Sequence, residues 1–378
     1  MRIGINTLAA VSGKQEGQSN HTYNLIESLA KIDTVNHYVL FVSPANRQYI
    51  SAIQQKNVIE VICNIDTNSP YYRVLWEQLF LPKLVSKYDL QVFHSLIHSS
   101  PRIASTQSLV TVQVLISLIF EKSAGLSIPM RLFWKTIGLA RIRQADHLIA
   151  VSNACKDELV QLVKINPEKI SVIHNGIGEH FFRDQDCVFA KSISEETTPY
   201  ILWVGVPHKH KNLPMMLKAF AFLKSRHNTP IKLMMIGPNL ANSELVTQTI
   251  RELALEAEVI LRPVTPNEKL PEIYQKAELF LFPSTKESFG IPVIEAMASG
   301  VPVVAANIPA IAEIAGDSAL LVDPASSEAI FEGMKQALFN IELRQSLVRK
   351  GLECAKKYSW VEAATQTLAV YSKFSMET

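Results

Sequence analysis

Phe282-Pro-Ser-Thr-Lys-Glu287-Ser-Phe-Gly-Ile-Pro292-Val-Ile-Glu295-Ala-Met-Ala-Ser-Gly300-Val-Pro-Val-Val304 is the most informative stretch of the chain. An apolar strand ends at Pro283 and a loop follows. Pro292 stands where a helix begins, because proline in a first helical turn forgoes only an amide that has no partner there. The helix is expected to run to about Ser299, with Gly300 as its C-terminal cap. The amides of residues 288–291 then gather at a helix N-terminus, which favours an anion. Glu287 lies just before the helix and Glu295 lies inside it. Two glutamates at that spacing, taken alone, are ordinarily solvated surface acids. Flanking an anion site, they suit a ligand with hydroxyls at both ends and phosphate in the middle, as in a nucleotide sugar.

Outward from this stretch, short β-branched runs alternate with helical patterns, the mark of parallel sheets with crossover helices. In the first half, strands are expected at 2–5, 38–42, 58–62, 92–94, 109–114, 147–151 and 170–173. Amphipathic stretches at 23–31 and 154–163 lie among them, with Ser152 placed to cap the second. Periodicity fades over 177–199. Strands resume at 200–204, 231–236, 259–262, 279–282, 301–305 and 319–322, and helices near 327–340 and 360–374 finish the chain. The expected fold class is α/β, with two doubly wound Rossmann-like domains facing a central cleft. The first covers 1–180, a linker 181–199, the second 200–355, and a C-terminal helix at 356–378 returns to the first. In such sheets ligands sit beyond the carboxyl ends of the strands.

Composition narrows the function. The chain has 378 residues, 48% hydrophobic and 19% charged, ample for two cores. Lys plus Arg number 37 against 35 Asp plus Glu, so no general nucleic-acid footprint is expected. Cys63, Cys155, Cys187 and Cys354 form no CxxC pair, which points to free thiols in a reducing compartment. The N-terminus reaches Asn6 without the apolar core of a signal peptide, and no run of about 18 apolar residues occurs. A cytoplasmic protein is expected, with any membrane contact peripheral on the inner face.

The quoted stretch closely resembles the donor-binding segment, often written E-x7-E, of the family 4 (group 1) glycosyltransferases with the GT-B fold. Other segments are similar to that family in the same order: Leu75-Trp-Glu-Gln, Ile149-Ala-Val-Ser-Asn-Ala-Cys, Ile170-Ser-Val-Ile-His-Asn-Gly, Tyr200-Ile-Leu-Trp-Val-Gly205 with Lys211-Asn212, and Tyr358-Ser-Trp. The resemblance implies transfer of a hexosyl group, glucose- or mannose-type, from a GDP- or UDP-linked sugar to a hydroxyl acceptor. It implies retention of anomeric configuration, with no metal and no cofactor besides the donor. Its setting would be polysaccharide, glycolipid or other glycoconjugate synthesis. Glu295 would accept hydrogen bonds from the ribose diol and Glu287 would meet the sugar. The amides of Ser288, Phe289, Gly290 and Ile291 would meet sugar and diphosphate, while Lys211 neutralises the leaving group. Gly205, Asn212, Val264 and Gly17 complete the expected donor-binding set.

Three positions depart from the family pattern. Val206 follows Gly205 where an Arg is common, leaving His208, Lys209 or His210 to supply charge. Glu16 replaces the first glycine of a Gly-Gly pair. Thr111-Val112-Gln113-Val114 stands where a His-Asp pair is usual, and Gln113 can still hydrogen-bond a hydroxyl. Two alternatives therefore stay open: a non-catalytic GT-B partner subunit, and a related GT-B epimerase or phosphorylase. Residues 130–143 carry Arg131, Lys135, Arg141 and Arg143 without an acid. With Phe133, Trp134, Ile137 and Ala140 on one helical face, they suit either an anionic membrane or a packed helix with wet arginines. The acceptor is accordingly lipid-linked or soluble. Asp184-Gln185-Asp186 has the D-x-D form of a metal motif from another glycosyltransferase fold, but in the expected linker it reads as solvated acids.

Overall fold

Runs of Val, Ile, Leu and Phe become parallel strands whose central members are buried on both faces. In the computed structural model, residues 1–10, 16–53, 55–67, 69–97, 100–103, 106–117, 128–182 and 198–376 are described, with backbone alone at 16–18, 129–131 and 376. Two units form: Met1–Gly176 together with Ser359–Thr378, and Ile177–Tyr358.

The first unit holds β1 (Arg2–Asn6), β2 (His37–Val42), β3 (Val58–Ile62), β4 (Val92–Ser95), β5 (Gln107–Val112), β6 (His147–Ala150) and β7 (Ile170–Val172). Their order is β3-β2-β1-β4-β5-β6-β7, with every pairing parallel. Ile5 lies opposite both Leu40 and His94, so all carboxyl ends share one edge. One face packs on Leu25, Ile26 and Leu29 of helix Glu16–Ile32, and on Trp360, Ala364 and Tyr371 of helix Trp360–Met376. The second unit holds β8 (Tyr200–Val204), β9 (Lys232–Ile236), β10 (Val259–Arg262), β11 (Leu279–Phe282), β12 (Val303–Ala306) and β13 (Leu320–Val322). These run parallel in the order β10-β9-β8-β11-β12-β13.

The structure moves several expected boundaries. Ile177–Phe182 joins the second unit because Phe181, 1% exposed, sets its ring 5.9 Å from that of Tyr274, and Ser299 Oγ donates to its carbonyl. Tyr358 also belongs there, donating its hydroxyl to Ile314 O at 3.0 Å. β5 starts and stops two residues before its expected position, because its first residue, Gln107, already pairs with Val92 of β4, and Gln113 just beyond its end donates its side chain to Leu96 O. A further helix, Ile341–Ala355, follows Asn340, whose side chain accepts from Leu343 N and caps it. The expected apolar face of 130–143 is broken by a π-turn at Trp134–Gly138. The extra residue in that turn rotates the periodicity. Trp134 is therefore buried against Gly138, while Ile137 faces outward at 44% exposure. No described helix is long and apolar enough to cross a membrane. Most of the expected linker, with Asp184, Asp186 and Cys187, lies outside the described residues.

Candidate donor site in the second unit

The site grows from the carboxyl edge of the second sheet. β11 ends at Phe282, and the loop behind it turns into helix Ile291–Ala298 through Gly290, at φ +112°. A Cβ at Gly290 would stand 2.5 Å from Ile311 Cδ1 and 3.0 Å from Ile314 Cδ1, side-chain ends that would have to shift, but it is the backbone angle that demands glycine. At the other end of the helix Gly300 takes φ +70°, as its place in the sequence predicts.

The loop is tied to its neighbour. Thr285 donates its amide to His210 O at 2.7 Å. Asn212, left-handed at φ +61°, donates through Nδ2 to the carbonyls of Pro283 at 3.0 Å and Pro324 at 2.8 Å. The side-chain hydrogens of Asn212 thus hold the scaffold, and its expected contact with donor falls to its remaining groups. These ties bring Lys211 Nζ to 2.6 Å from Glu287 Oε1, with both side chains largely covered, and to 5.1 Å from the Phe282 ring centroid. Lys211 has three donors, so an anion can share it with Glu287.

Glu295 sits on the inner side of its helix at 9% exposure, and Tyr274 donates its hydroxyl to Oε2 at 2.9 Å. Burial pushes the carboxyl up to about 7, and the tyrosine bond pulls the other way. Phe289 is buried against Tyr358, ring centroids 5.8 Å apart, so only its backbone is placed to meet a ligand. β8 ends at Val204, and the carbonyl of the next residue, Gly205, lies 1.8 Å from where a Cβ on Gly237 would stand. The two strand ends touch through backbone alone. Val206 and Val264 are exposed at 41% and 40% on loops leaving the same edge. Of the residues expected to replace the missing arginine, His208 is held below its ordinary range by burial and by Lys211, against a smaller pull from Glu287. It is neutral near pH 7.

Two expected site residues fall in the first unit. Gly17 lies in the first turn of helix Glu16–Ile32 and not in a glycine loop. Gln113 gives both amide hydrogens to the protein, to Leu96 O at 2.6 Å and to His21 Nδ1 at 2.9 Å, which leaves Oε1 as its only group for a substrate hydroxyl. Thr111 is engaged likewise with His94 Nε2 at 2.8 Å, and His94 Nδ1 meets Tyr371 at 2.7 Å. Burial pushes His21 and His94 down to about 3, so both rings are neutral. Sequence reasoning missed His21 and Tyr274. Their side-chain types were visible, but their partners are 92 and 21 residues away.

Residues 16–180 match the family described as Glycosyltransferase Family 4, and residues 184–353 match Glycosyl transferases group 1. O-antigen chain mannosyltransferase B of Escherichia coli is 32% identical over 172 residues, covering 46% of this chain and 45% of that protein. D-inositol 3-phosphate glycosyltransferase of Nocardioides is 30% identical over 253 residues, covering 62% and 55%. The chain thus spans about half the length of the curated relatives it matches. Among solved structures, sucrose-phosphate synthase of Thermosynechococcus elongatus superposes with a TM-score of 0.78 at 19% identity, covering 100% of both chains. Anabaena HepE in complex with UDP and glucose gives 0.73 at 16%, covering 99% of this chain and 100% of that one. Two parallel doubly wound sheets and these likenesses make the fold GT-B, and with both halves matched in order, the chain belongs to the family 4, group 1 glycosyltransferases.

Proposed function

We propose that this protein transfers a glucose- or mannose-type hexosyl group from a nucleotide-diphosphate sugar to a hydroxyl acceptor, with retention and without metal. The observation that carries the reading is the Lys211–Glu287 pair, fixed at 2.6 Å beside the Gly290 turn, with the buried Glu295 inside the helix that follows. A cation beside the helix N-terminus suits a leaving diphosphate. Glu287 accepts from sugar hydroxyls, and the free oxygen of Glu295 accepts from ribose. As the diphosphate departs, positive charge develops on the anomeric carbon and the acceptor hydroxyl attacks from the same face. Its proton passes to the departing phosphate oxygen, so the enzyme supplies no nucleophile. Relatives named as mannosyltransferases favour a mannose-type donor, while the UDP and glucose of the HepE complex favour a glucose-type one.

The proposed setting is the cytoplasm, on glycoconjugate or polysaccharide precursors, with peripheral contact at the inner membrane face. Support comes from Ile128, Leu132 and Ile137, exposed at 84%, 62% and 44% in a segment that also carries Lys135, Arg141 and Arg143. These residues replace Phe133, Trp134 and Ala140 as the apolar contact.

A thermal-shift panel of UDP, GDP and ADP with their glucose and mannose conjugates tests the donor site, since ligands that bind only the folded state raise the melting temperature. A rise selective for one base, followed by turnover with its sugar conjugate, is the expected result. Binding without turnover would favour the partner-subunit reading, which the engaged amide of Gln113 motivates. No shift with any ligand would remove the donor site.

A further inference from the structure

Helix Leu270–Lys276 carries a tyrosine whose position has no role in the chemistry above. Tyr274 is completely buried, its ring 5.9 Å from that of Phe181 and 5.4 Å from that of Phe280. Held by these two rings, its hydroxyl donates to Glu295 Oε2. Among the described residues no donor meets Oε1. A buried carboxylate has room for several donors, and one supplied by the protein leaves it underpaired. The free oxygen is the part a ligand hydroxyl would complete.

We infer that Tyr274 is a positioning residue for the donor site: it occupies one oxygen of Glu295 and turns the other toward the ribose hydroxyls of the bound nucleotide. The inference rests on the donor-site reading and goes beyond it by assigning the orientation of Glu295 to a residue that never touches the ligand. Only Tyr274 acts on the Glu295 titration besides burial, and its bond favours the ionised form that accepts from a diol. Loss of the hydroxyl therefore moves the carboxyl further up and frees it to rotate.

The experiment is calorimetric titration with UDP and GDP and with their 2′,3′-dideoxy counterparts, from pH 6 to 9. Wild type, Tyr274→Phe, Glu295→Gln and the double variant are compared, and a melting curve checks that each is folded. Phenylalanine fills the same space, so the aromatic packing is kept. At pH 7, Tyr274→Phe is expected to weaken the ribonucleotide about tenfold, the scale of a hydrogen bond to a charged group. The dideoxy nucleotide should be unaffected, and the pH midpoint of ribonucleotide binding should rise. The double variant should bind no more weakly than Glu295→Gln alone, because both changes break one unit. Equal losses for ribo- and dideoxynucleotides, an unmoved midpoint, or additive losses would overturn the inference and make Tyr274 a packing residue. Wild type that does not distinguish the two nucleotides, or binds neither, would overturn the donor-site reading and the inference with it.

Discussion

Replacing Glu295 by glutamine should make the ligand-free protein more stable at alkaline pH. Burial lifts the carboxyl from 4.5 to about 7 in the folded chain. A carboxyl raised on folding favours the neutral protein, so its contribution is fully present below pH 4.5 and is lost as pH rises through 7. A tenfold change in proton affinity is worth about 1.4 kcal/mol, so ionised Glu295 costs the second unit about 3 kcal/mol at pH 8 relative to acid. Glutamine keeps an oxygen to accept from Tyr274 and carries no charge. At pH 8 the variant should therefore melt higher by about 6–10 °C, taking a few degrees per kcal/mol for a domain of this size. Near pH 4.5 the difference should shrink toward zero. Calorimetry at both pH values, with nucleotide binding measured in parallel, makes the comparison. The gain in stability should accompany weaker ribonucleotide binding, as expected where a site keeps an underpaired charge for its ligand. A stability difference that is the same at pH 4.5 and pH 8 would refute the reasoning, because charge would then play no part in it.

Other outcomes follow from the geometry. Gly290→Ala meets both a left-handed backbone and the Ile311 side chain, so the second unit should lose about 2–4 kcal/mol by denaturant titration, and nucleotide binding with it. Lys211→Ala should lower turnover about 100- to 1000-fold once a donor is known, the scale for removing one preorganised donor, and leave Glu287 without its partner. Glu287→Gln should slow transfer while nucleotide affinity, read by titration, stays near wild type. Gln113→Ala leaves Leu96 O and His21 Nδ1 without their donor, and the first unit should lose about 1–3 kcal/mol.

What could be read along the chain is what depends on neighbours in sequence. The run from Phe282 to Val304 shows strand, turn, helix start and left-handed cap, because Pro292 fixes its own backbone angle and Gly290 and Gly300 admit angles that other residues avoid. The alternation of β-branched runs with helical patterns shows a doubly wound architecture for the same reason: hydrophobic period is local. Glu287, Glu295 and Lys211 were legible as candidates through the pattern around them.

Partnership was not legible. Tyr274 reads as one more apolar residue of a short helix until the fold sets its hydroxyl on Glu295. Gln113 reads as a group free for substrate until Leu96 O and His21 take both its hydrogens. The face of 130–143 reads as continuous until a π-turn rotates Ile137 outward. The strands, the turns and the residue types of the candidate donor site were set by the sequence, since those follow from covalent geometry and short-range hydrophobic pattern. Only the tertiary structure decided which carboxylate stays buried and half-paired and which is bound to lysine. Burial and hydrogen-bond partners come from residues far apart in the chain, and they set the charge and orientation on which the proposed chemistry depends.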